Sequence, residues 1–256
     1  MQMTFLGTAS GMPVLHRSHS SILLRENGTS ILLDAGEGVS TALLRCGIDH
    51  GTIEKIFISH THPDHVIGIP MLLLLMYLSE RTKPLKIFLP EDRCDWLERM
   101  LHGMFIYPEK WKFPYSILPL PLSGEKISRD VEVKFFRTAH VEKLRPYASK
   151  YGFSAQSYGF IVSDSKNRIV ISSDIDSLND VADVCQTACT LIVEGTHVSL
   201  RQIFEFTKAH PDVRVFVTHI PPVSEAELPQ WKERAANDFP GRLLFADDGL
   251  QLDFTR

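Results

Sequence analysis

Short apolar runs separated by glycine, asparagine and proline recur along the whole chain. Such runs are typical of β-strands and include MTFLGT, SSILLREN, GTSILLDAG, IEKIFISH, PLKIFLP, VEVKFFRTAH, YGFIVSD, NRIVISSD, CTLIVEGTH and VRVFVTHI. Apolar residues at helical spacing lie between them, in GVSTALLRCGI, in residues 69–80 and in EDRCDWLERMLHGM. Strands and helices therefore alternate through two successive halves. This predicts an α/β protein with two mixed β-sheets face to face and helices outside.

Three stretches carry more specific predictions. The ENG turn predicts a hairpin over residues 20–35, and FADDGLQLDF predicts a closing hairpin around Asp248 and Gly249. Residues 107–123 are rich in proline and aromatic side chains, and we expect them to be irregular. No linker rich in glycine, serine or proline divides the chain, so we expect one domain over residues 1–256.

Composition and charge are those of a globular protein and argue against a dedicated nucleic-acid-binding or membrane-spanning protein. The chain has 256 residues, of which 44% are hydrophobic and 23% charged, and its net charge is -4. This balance lacks the basic character that nucleic-acid-binding domains usually show. We find no signal-peptide pattern, and the longest apolar run, residues 69–78, is far shorter than the roughly 20 residues that span a bilayer. We therefore expect a cytoplasmic protein without membrane contact. Its four cysteines are expected to be free thiols, including the pair at helical spacing, Cys185 and Cys189.

The stretch FISHTHPDHVIG places three histidines and an aspartate within six positions. These residues are His60, His62, Asp64 and His65. Imidazoles and carboxylates packed this closely need a compensating charge, and a metal cation is the simplest candidate. Because the cluster follows the predicted strand IEKIFISH, it lies at the carboxyl end of that strand, where ligands of α/β sheets gather.

Three further ligand-type residues lie at the ends of later strands, namely His140, Asp174 and His219. Taken singly, the two histidines could be buried or surface residues, and Asp174 could be a turn residue or a helix cap. Taken with the cluster, they complete two sites that Asp174 could bridge: His60, His62 and His140; and Asp64, His65 and His219. Imidazole and carboxylate ligands suit Zn²⁺, with Mn²⁺ or Fe as alternatives. Two such ions can share a bridging hydroxide and act on a phosphodiester.

These motifs resemble the metallo-β-lactamase superfamily, and the order of several stretches is most similar to its ribonuclease Z branch. The stretches are FLGTASGMPVLHRSHSSILL, LLDAGEGV, IEKIFISHTHPDHVIGIPMLL, TAH, SYGF, SSD and VTHI. The resemblance implies a four-layer αβ/βα sandwich with two metal ions and the ligand sets given above. It also implies a proton-transfer role for Asp64, and it makes Asp34 the carboxylate that orients a ligand histidine.

Two features of ribonuclease Z are missing from the sequence. The H-S-T motif, whose histidine protonates the leaving group, is absent between Asp174 and His219, and His197 in EGTH is the candidate substitute. The long glycine- and proline-rich arm that grips tRNA is also not recognisable. Instead, residues 141–156 form a basic and aromatic stretch after His140, and Lys143, Arg145 and Tyr147 are candidate substrate-binding residues.

The sequence thus predicts a metal-dependent hydrolase, foremost a phosphodiesterase with a metal-bridging hydroxide. An ester, thioester or lactone hydrolase is the alternative, because the same fold and metals support that chemistry. A tRNA 3′ endonuclease and a non-catalytic metal-binding protein are weaker alternatives. The expected partners are a small-molecule or nucleotide phosphodiester, an RNA end as a further option, and a second copy of the chain in a homodimer.

Overall fold

The computed structural model describes residues 1–185 and 189–254. The chain divides into two compact units. The first comprises Met1–Gly7, His16–Pro121 and the residues from Asp248, and the second comprises Thr8–Leu15 and Leu122–Asp247. The prediction of one domain over residues 1–256 stays a prediction.

The first unit is built on a mixed sheet that has seven strands among the described residues, in the order β14-β1-β2-β3-β4-β5-β6. The strands are β1 Gln2–Gly7, β2 Ser21–Glu26, β3 Thr29–Leu33, β4 Ile53–Phe57, β5 Leu85–Leu89, β6 Tyr115–Pro119 and β14 Gln251–Asp253. Its helices are α1 Val39–Arg45, α2 Pro63–Val66, α3 Ile69–Leu78 and α4 Cys94–Gly103. Strands β3 to β6 pair in parallel and the others are antiparallel. A core of fully buried aliphatic side chains, among them Leu32, Ile56 and Leu72, fixes the helices on this sheet.

The second unit is built on another mixed sheet, whose described strands run in the order β13-β12-β11-β10-β9-β8-β7. The strands are β7 Glu125–Lys126, β8 Glu132–Thr138, β9 Ser157–Ser163, β10 Arg168–Ile171, β11 Cys189–Glu194, β12 Val213–Thr218 and β13 Leu243–Phe245. Its helices are α5 Arg145–Ala148, α6 Asn179–Ala182, α7 Leu200–Ala209, α8 Pro222–Glu225 and α9 Leu228–Asp238. Strands β10 to β13 are parallel, and their apolar runs are buried, as in sheets covered by helices. The two mixed sheets with their helices confirm the predicted fold class.

Two local predictions were wrong. Residues 107–123 contain strand β6, which pairs in parallel with β5, so the proline- and aromatic-rich stretch is not irregular throughout. The predicted closing hairpin does not form, because β13 pairs with β12 in the second sheet and β14 pairs with β1 in the first. Local turn chemistry at Gly249 was correct, with a left-handed φ of 88°, but strand pairing over long range decides the partners.

The cysteines and the lengths of the helices bear on two further predictions. All four cysteines are free, and Cys185 and Cys189 are buried. The helical spacing predicted for that pair runs through residues 186–188, which lie outside the described residues. Across residues 1–185 and 189–254, none of the helices combines the length and apolarity that crossing a membrane requires.

Candidate functional site

In the first unit, Asp34 anchors the loop of residues 59–65 that carries the histidine cluster. Asp34 directly follows β3 and is 3% exposed. Its carboxylate accepts hydrogen bonds from the backbone N–H of Ser59 at 2.7 Å and from the Ser59 hydroxyl at 2.9 Å. It also accepts one from Nδ1 of His65 at 2.8 Å. A single buried carboxylate therefore fixes both ends of the loop.

These bonds determine which ring nitrogen of two histidines can act as a ligand. Nδ1–H of His65 donates to Asp34, which leaves the lone pair on Nε2. The Ser59 hydroxyl uses its hydrogen on Asp34, so it can only accept from Nδ1–H of His60, 3.0 Å away. His60 therefore also presents a lone pair on Nε2. A ligand histidine held by a carboxylate through its other nitrogen is the usual arrangement in metal sites.

The ligand-type atoms of this loop converge in pairs. Nε2 of His60 lies 3.0 Å from Nδ1 of His62, and Nε2 of His65 lies 3.6 Å from Oδ2 of Asp64. His60 and His65 are buried, whereas His62 and Asp64 are partly exposed. The loop thus brings nitrogen and oxygen donor atoms together, and solvent reaches two of the four side chains.

In the second unit, Asp174 lies between two histidines. Its Oδ2 is 3.5 Å from Nε2 of His140, and its Oδ1 is 3.3 Å from Nε2 of His219. The three residues follow β8, β10 and β12, and all are buried. Because each carboxylate oxygen faces a different imidazole, Asp174 has the geometry expected of a shared ligand.

Backbone conformation is unusual at these positions. Asp34, Ser173 and His219 have φ values of 58°, 50° and 53°, in the left-handed region that residues other than glycine rarely adopt. Each such residue costs free energy that the surrounding structure must offset, and such residues concentrate at functional sites.

His197 lies beside Asp174 and His140 and is held by a buried glutamate. Its Nδ1 is 3.0 Å from Oε1 of Glu194 and 3.9 Å from Asp174, and its ring meets the His140 ring edge-on at 4.4 Å between centroids. The hydrogen bond to Glu194 raises the pKa of His197, against the lowering effect of burial. His197 is 34% exposed, so this imidazole is both positioned and accessible.

Glu194 and Asp180 are functional candidates that sequence reasoning missed. Glu194 ends β11 and accepts from the backbone N–H groups of Thr196 and His197 as well as from the His197 ring. A carboxylate at the end of the apolar run CTLIVE was its only signal in the sequence. Asp180 Oδ2 accepts from the N–H of Ala139 at 3.1 Å and of Asp176 at 2.9 Å. It thereby joins the two segments that carry His140 and Asp174, and no pattern in the sequence indicated this.

The predicted substrate-binding stretch folds into short helical turns around α5. Nζ of Lys143 pairs with Asp176 at 3.0 Å, and Arg145 pairs with Glu142 at 3.2 Å, both in exposed positions. Tyr147 is 64% exposed, and Nζ of Lys150 lies 5.8 Å from its ring centroid. Lys143 is close enough to lower the pKa of His197 slightly against the effect of Glu194. A role in substrate binding stays a prediction for these residues.

The donor sets fit divalent transition metals. The candidates in each unit are imidazoles and carboxylates whose donor atoms lie close together, which is the ligand chemistry of Zn²⁺ sites. The lone pairs on Nε2 of His60 and His65 are directed by hydrogen bonds within the first unit. The assignment of individual ligands stays a prediction.

Asp34→Asn is expected to weaken metal binding by about 10–100-fold, because loss of a partner that orients a ligand histidine has that effect in other metal sites. The amide has one acceptor oxygen, so it cannot accept both from the Ser59 N–H, which binds Oδ1, and from the Ser59 hydroxyl and His65 Nδ1–H, which bind Oδ2. Competition with a chromophoric chelator measures the affinity. Asp49→Asn, at an exposed residue that caps a short helical turn, is the matched control. Equal affinity in the two variants would refute the orienting role of Asp34.

The two sheets, with histidines and aspartates at the strand ends, are similar to ribonuclease Z-like proteins of the metallo-β-lactamase superfamily. A sequence model of the family described as "Anti-Pycsar protein Apyc1" matches residues 1–216, which is most of the chain, and the chain therefore belongs to that family.

Individual relatives carry the name ribonuclease Z. A protein named ribonuclease Z from Methanococcus maripaludis is 34% identical over 142 residues, which is 56% of this chain and 43% of the relative. Another from Gemmatimonas aurantiaca is 26% identical over 301 residues, covering 97% of this chain and 94% of the relative. The chain spans about half the length of the first curated relatives it matches, which are ribonuclease Z proteins of Methanococcus. The crystal structure of human tRNase Z, short form, has the same fold, with a TM-score of 0.74, 23% identity and complete coverage of both chains.

Proposed function

We propose that this protein is a metal-dependent hydrolase of phosphodiesters that uses two divalent transition-metal ions. Zn²⁺ is the expected ion, with Mn²⁺ or Fe as alternatives. The observation that supports the proposal most directly is the placement of Asp174, whose two oxygens face His140 and His219 separately. The proposed ligands of one ion are His60, His62, His140 and Asp174. Those of the other are Asp64, His65, His219 and Asp174.

Bound ions of this kind supply Lewis acidity and generate a nucleophile from water at neutral pH. Other residues of the chain orient the proposed ligand residues, accept a proton from the attacking water and donate one to the leaving group. Asp34 keeps the histidine loop in place through Ser59 and His65. Asp64, whose Oδ2 lies 3.6 Å from the nearest His65 nitrogen, is proposed to accept a proton from the attacking water.

The proposed donor of a proton to the leaving group is His197. Glu194 binds Nδ1 of its ring, so Nε2 is the nitrogen that can reach a substrate oxygen. A carboxylate that orients an imidazole in this way also stabilises its protonated form, so the hydrogen bond to Glu194 raises the pKa of His197. The Glu194–His197 pair thus supplies what the missing H-S-T histidine supplies in ribonuclease Z.

The proposed substrate is a small or nucleotide phosphodiester. The chain offers no net positive charge to a long RNA backbone, because its net charge is -4. The basic stretch after His140 contributes three cationic side chains, Lys143, Arg145 and Lys150. Exposed Tyr147 offers a ring for a base to stack on. We propose that this protein also acts as an anti-Pycsar protein, as the description of its family says. Cytoplasmic location and a homodimer stay predictions.

A substrate panel on protein of known metal content tests the proposal. We expect bis(p-nitrophenyl) phosphate and at least one small nucleotide phosphodiester, cyclic or linear, to be hydrolysed. We expect precursor tRNA to be cleaved worse than these by roughly 10²-fold or more in kcat/KM, because phosphate neutralisation by lysine and arginine dominates affinity for nucleic acid. The measurement is initial rates at one salt concentration.

The same panel includes a lactone and a thioester, and metal-stripped protein is its control. Faster turnover of the lactone or thioester than of every phosphodiester would favour the alternative hydrolase. Efficient and specific cleavage of precursor tRNA would contradict the small-substrate proposal.

A further inference from the structure

A cavity of about 470 Å³ opens on the surface of the first unit, between α3 and the segment that follows α4. Its volume lies within the range of small-molecule sites. Its lining is mainly apolar and aromatic, with a lysine at one position, and includes Met71, Tyr77, Met104, Phe105, Lys110 and Trp111. None of these is among the candidate metal ligands, so the cavity is a separate feature of the unit.

Phe105 occupies a backbone position that normally belongs to glycine. Helix α4 ends in a Schellman motif, in which Ile106 N–H donates to Leu101 O at 3.0 Å and Phe105 N–H donates to His102 O at 3.1 Å. Phe105 has a φ of 61°, which is strained for a bulky side chain. Its side chain is 81% exposed, so burial does not offset that strain. The Phe105 ring meets the Tyr107 ring edge-on at 6.5 Å between centroids, and this contact leaves most of the residue exposed. A strained residue with so little packing indicates a role for the ring itself.

Two other lining residues, Tyr77 and Trp111, form a stacked aromatic wall. The rings of Tyr77 and Trp111 lie 5.2 Å apart at 19°. Tyr77 is 39% exposed and can extend the stack to a further flat ring. Met71 and Met104 are 60% and 48% exposed, and flexible thioether side chains adapt to aromatic ligands.

Lys110 gives the cavity a positive charge. Its Nζ lies 5.9 Å from the Tyr107 ring centroid, and Lys110 and its neighbour Trp111 both line the cavity. An anionic group there would meet a cation while its ring system stayed on the aromatic wall. We propose that this cavity binds a small aromatic anion, with its rings against Tyr77 and Phe105 and its acidic group at Lys110. The proposal does not depend on the function proposed for the metal residues.

Fluorescence titration with 1-anilinonaphthalene-8-sulfonate tests the proposal on the full chain. We expect one saturable site per chain. In Phe105→Gly, affinity should fall by about five- to tenfold because an aromatic contact is lost. The melting temperature of the same variant should rise by about 2–4 °C, because glycine relieves the left-handed backbone. A residue with a merely structural role would not lose binding while gaining stability.

Lys110→Met separates charge from shape. It should weaken the sulfonate severalfold and leave binding of the neutral N-phenyl-1-naphthylamine unchanged. The matched controls are Lys112→Met, at a lysine paired with Glu80 at 3.1 Å, and Leu78→Ala, at an exposed leucine outside the lining. Unchanged sulfonate affinity in Phe105→Gly and Lys110→Met, or a lower melting temperature in Phe105→Gly, would overturn the proposal. Equal loss of the neutral and charged probes in Lys110→Met would overturn the preference for an anion.

Discussion

Asp174→Ala is expected to lose bound metal and hydrolytic activity together, with kcat/KM falling by roughly 10³-fold or more. Loss of an outer partner of a metal ligand already costs about 10–100-fold, and loss of a shared ligand should cost more. In this protein the two Asp174 oxygens face different histidines, so one substitution affects both proposed ions. Metal analysis of purified wild-type protein should give close to two ions per chain, and hydrolysis of bis(p-nitrophenyl) phosphate measures activity.

The control for this substitution is Asp212→Ala, at an exposed aspartate just after α7. It should keep both metal and activity. His60→Ala should behave like Asp174→Ala, since its Nε2 is directed by the Ser59–Asp34 hydrogen bonds. Full activity in protein that contains no metal would refute the proposed mechanism.

His197→Ala is expected to slow hydrolysis in a way that depends on the leaving group. With an alkyl or nucleoside leaving group, the rate should fall by roughly 10²-fold or more, the typical contribution of general acid catalysis. With p-nitrophenol, whose anion leaves unaided, the loss should be much smaller. Metal content should stay unchanged, because His197 is not among the proposed ligands. Glu194→Gln should show the same dependence in weaker form, because Glu194 orients the ring.

The matched control is His210→Ala, at a histidine between α7 and β12 whose Nδ1 lies 2.8 Å from Phe206 O. It should leave both rates unchanged. Equal losses on both leaving groups in His197→Ala would assign His197 to structure or binding. Loss of metal would show that the ligand set is wrong, and no effect at all would assign the proton to another donor such as Asp64.

Sequence patterns predicted the parts of this fold that depend on local chemistry. Apolar runs gave the strands that precede His140, Asp174 and His219, and the positions of these residues at strand ends followed directly. Strand β6 was missed because proline and aromatic residues obscure its pattern, although β5 pairs with it in parallel. The roles of Glu194 and Asp180 depend on which backbone N–H groups face them. Such contacts follow from loop geometry, which residue types do not encode.

The pairing of β14 with β1 has a consequence for how the protein is made. β1 leaves the ribosome well before one of its two neighbours, Gln251–Asp253, whose first residue lies 244 positions after Gly7, the last residue of β1. Until then, the backbone groups on that side of the nascent β1 have no strand to bind. Exposed strand edges of this kind recruit other chains, so the first unit is most prone to aggregate while translation is still in progress.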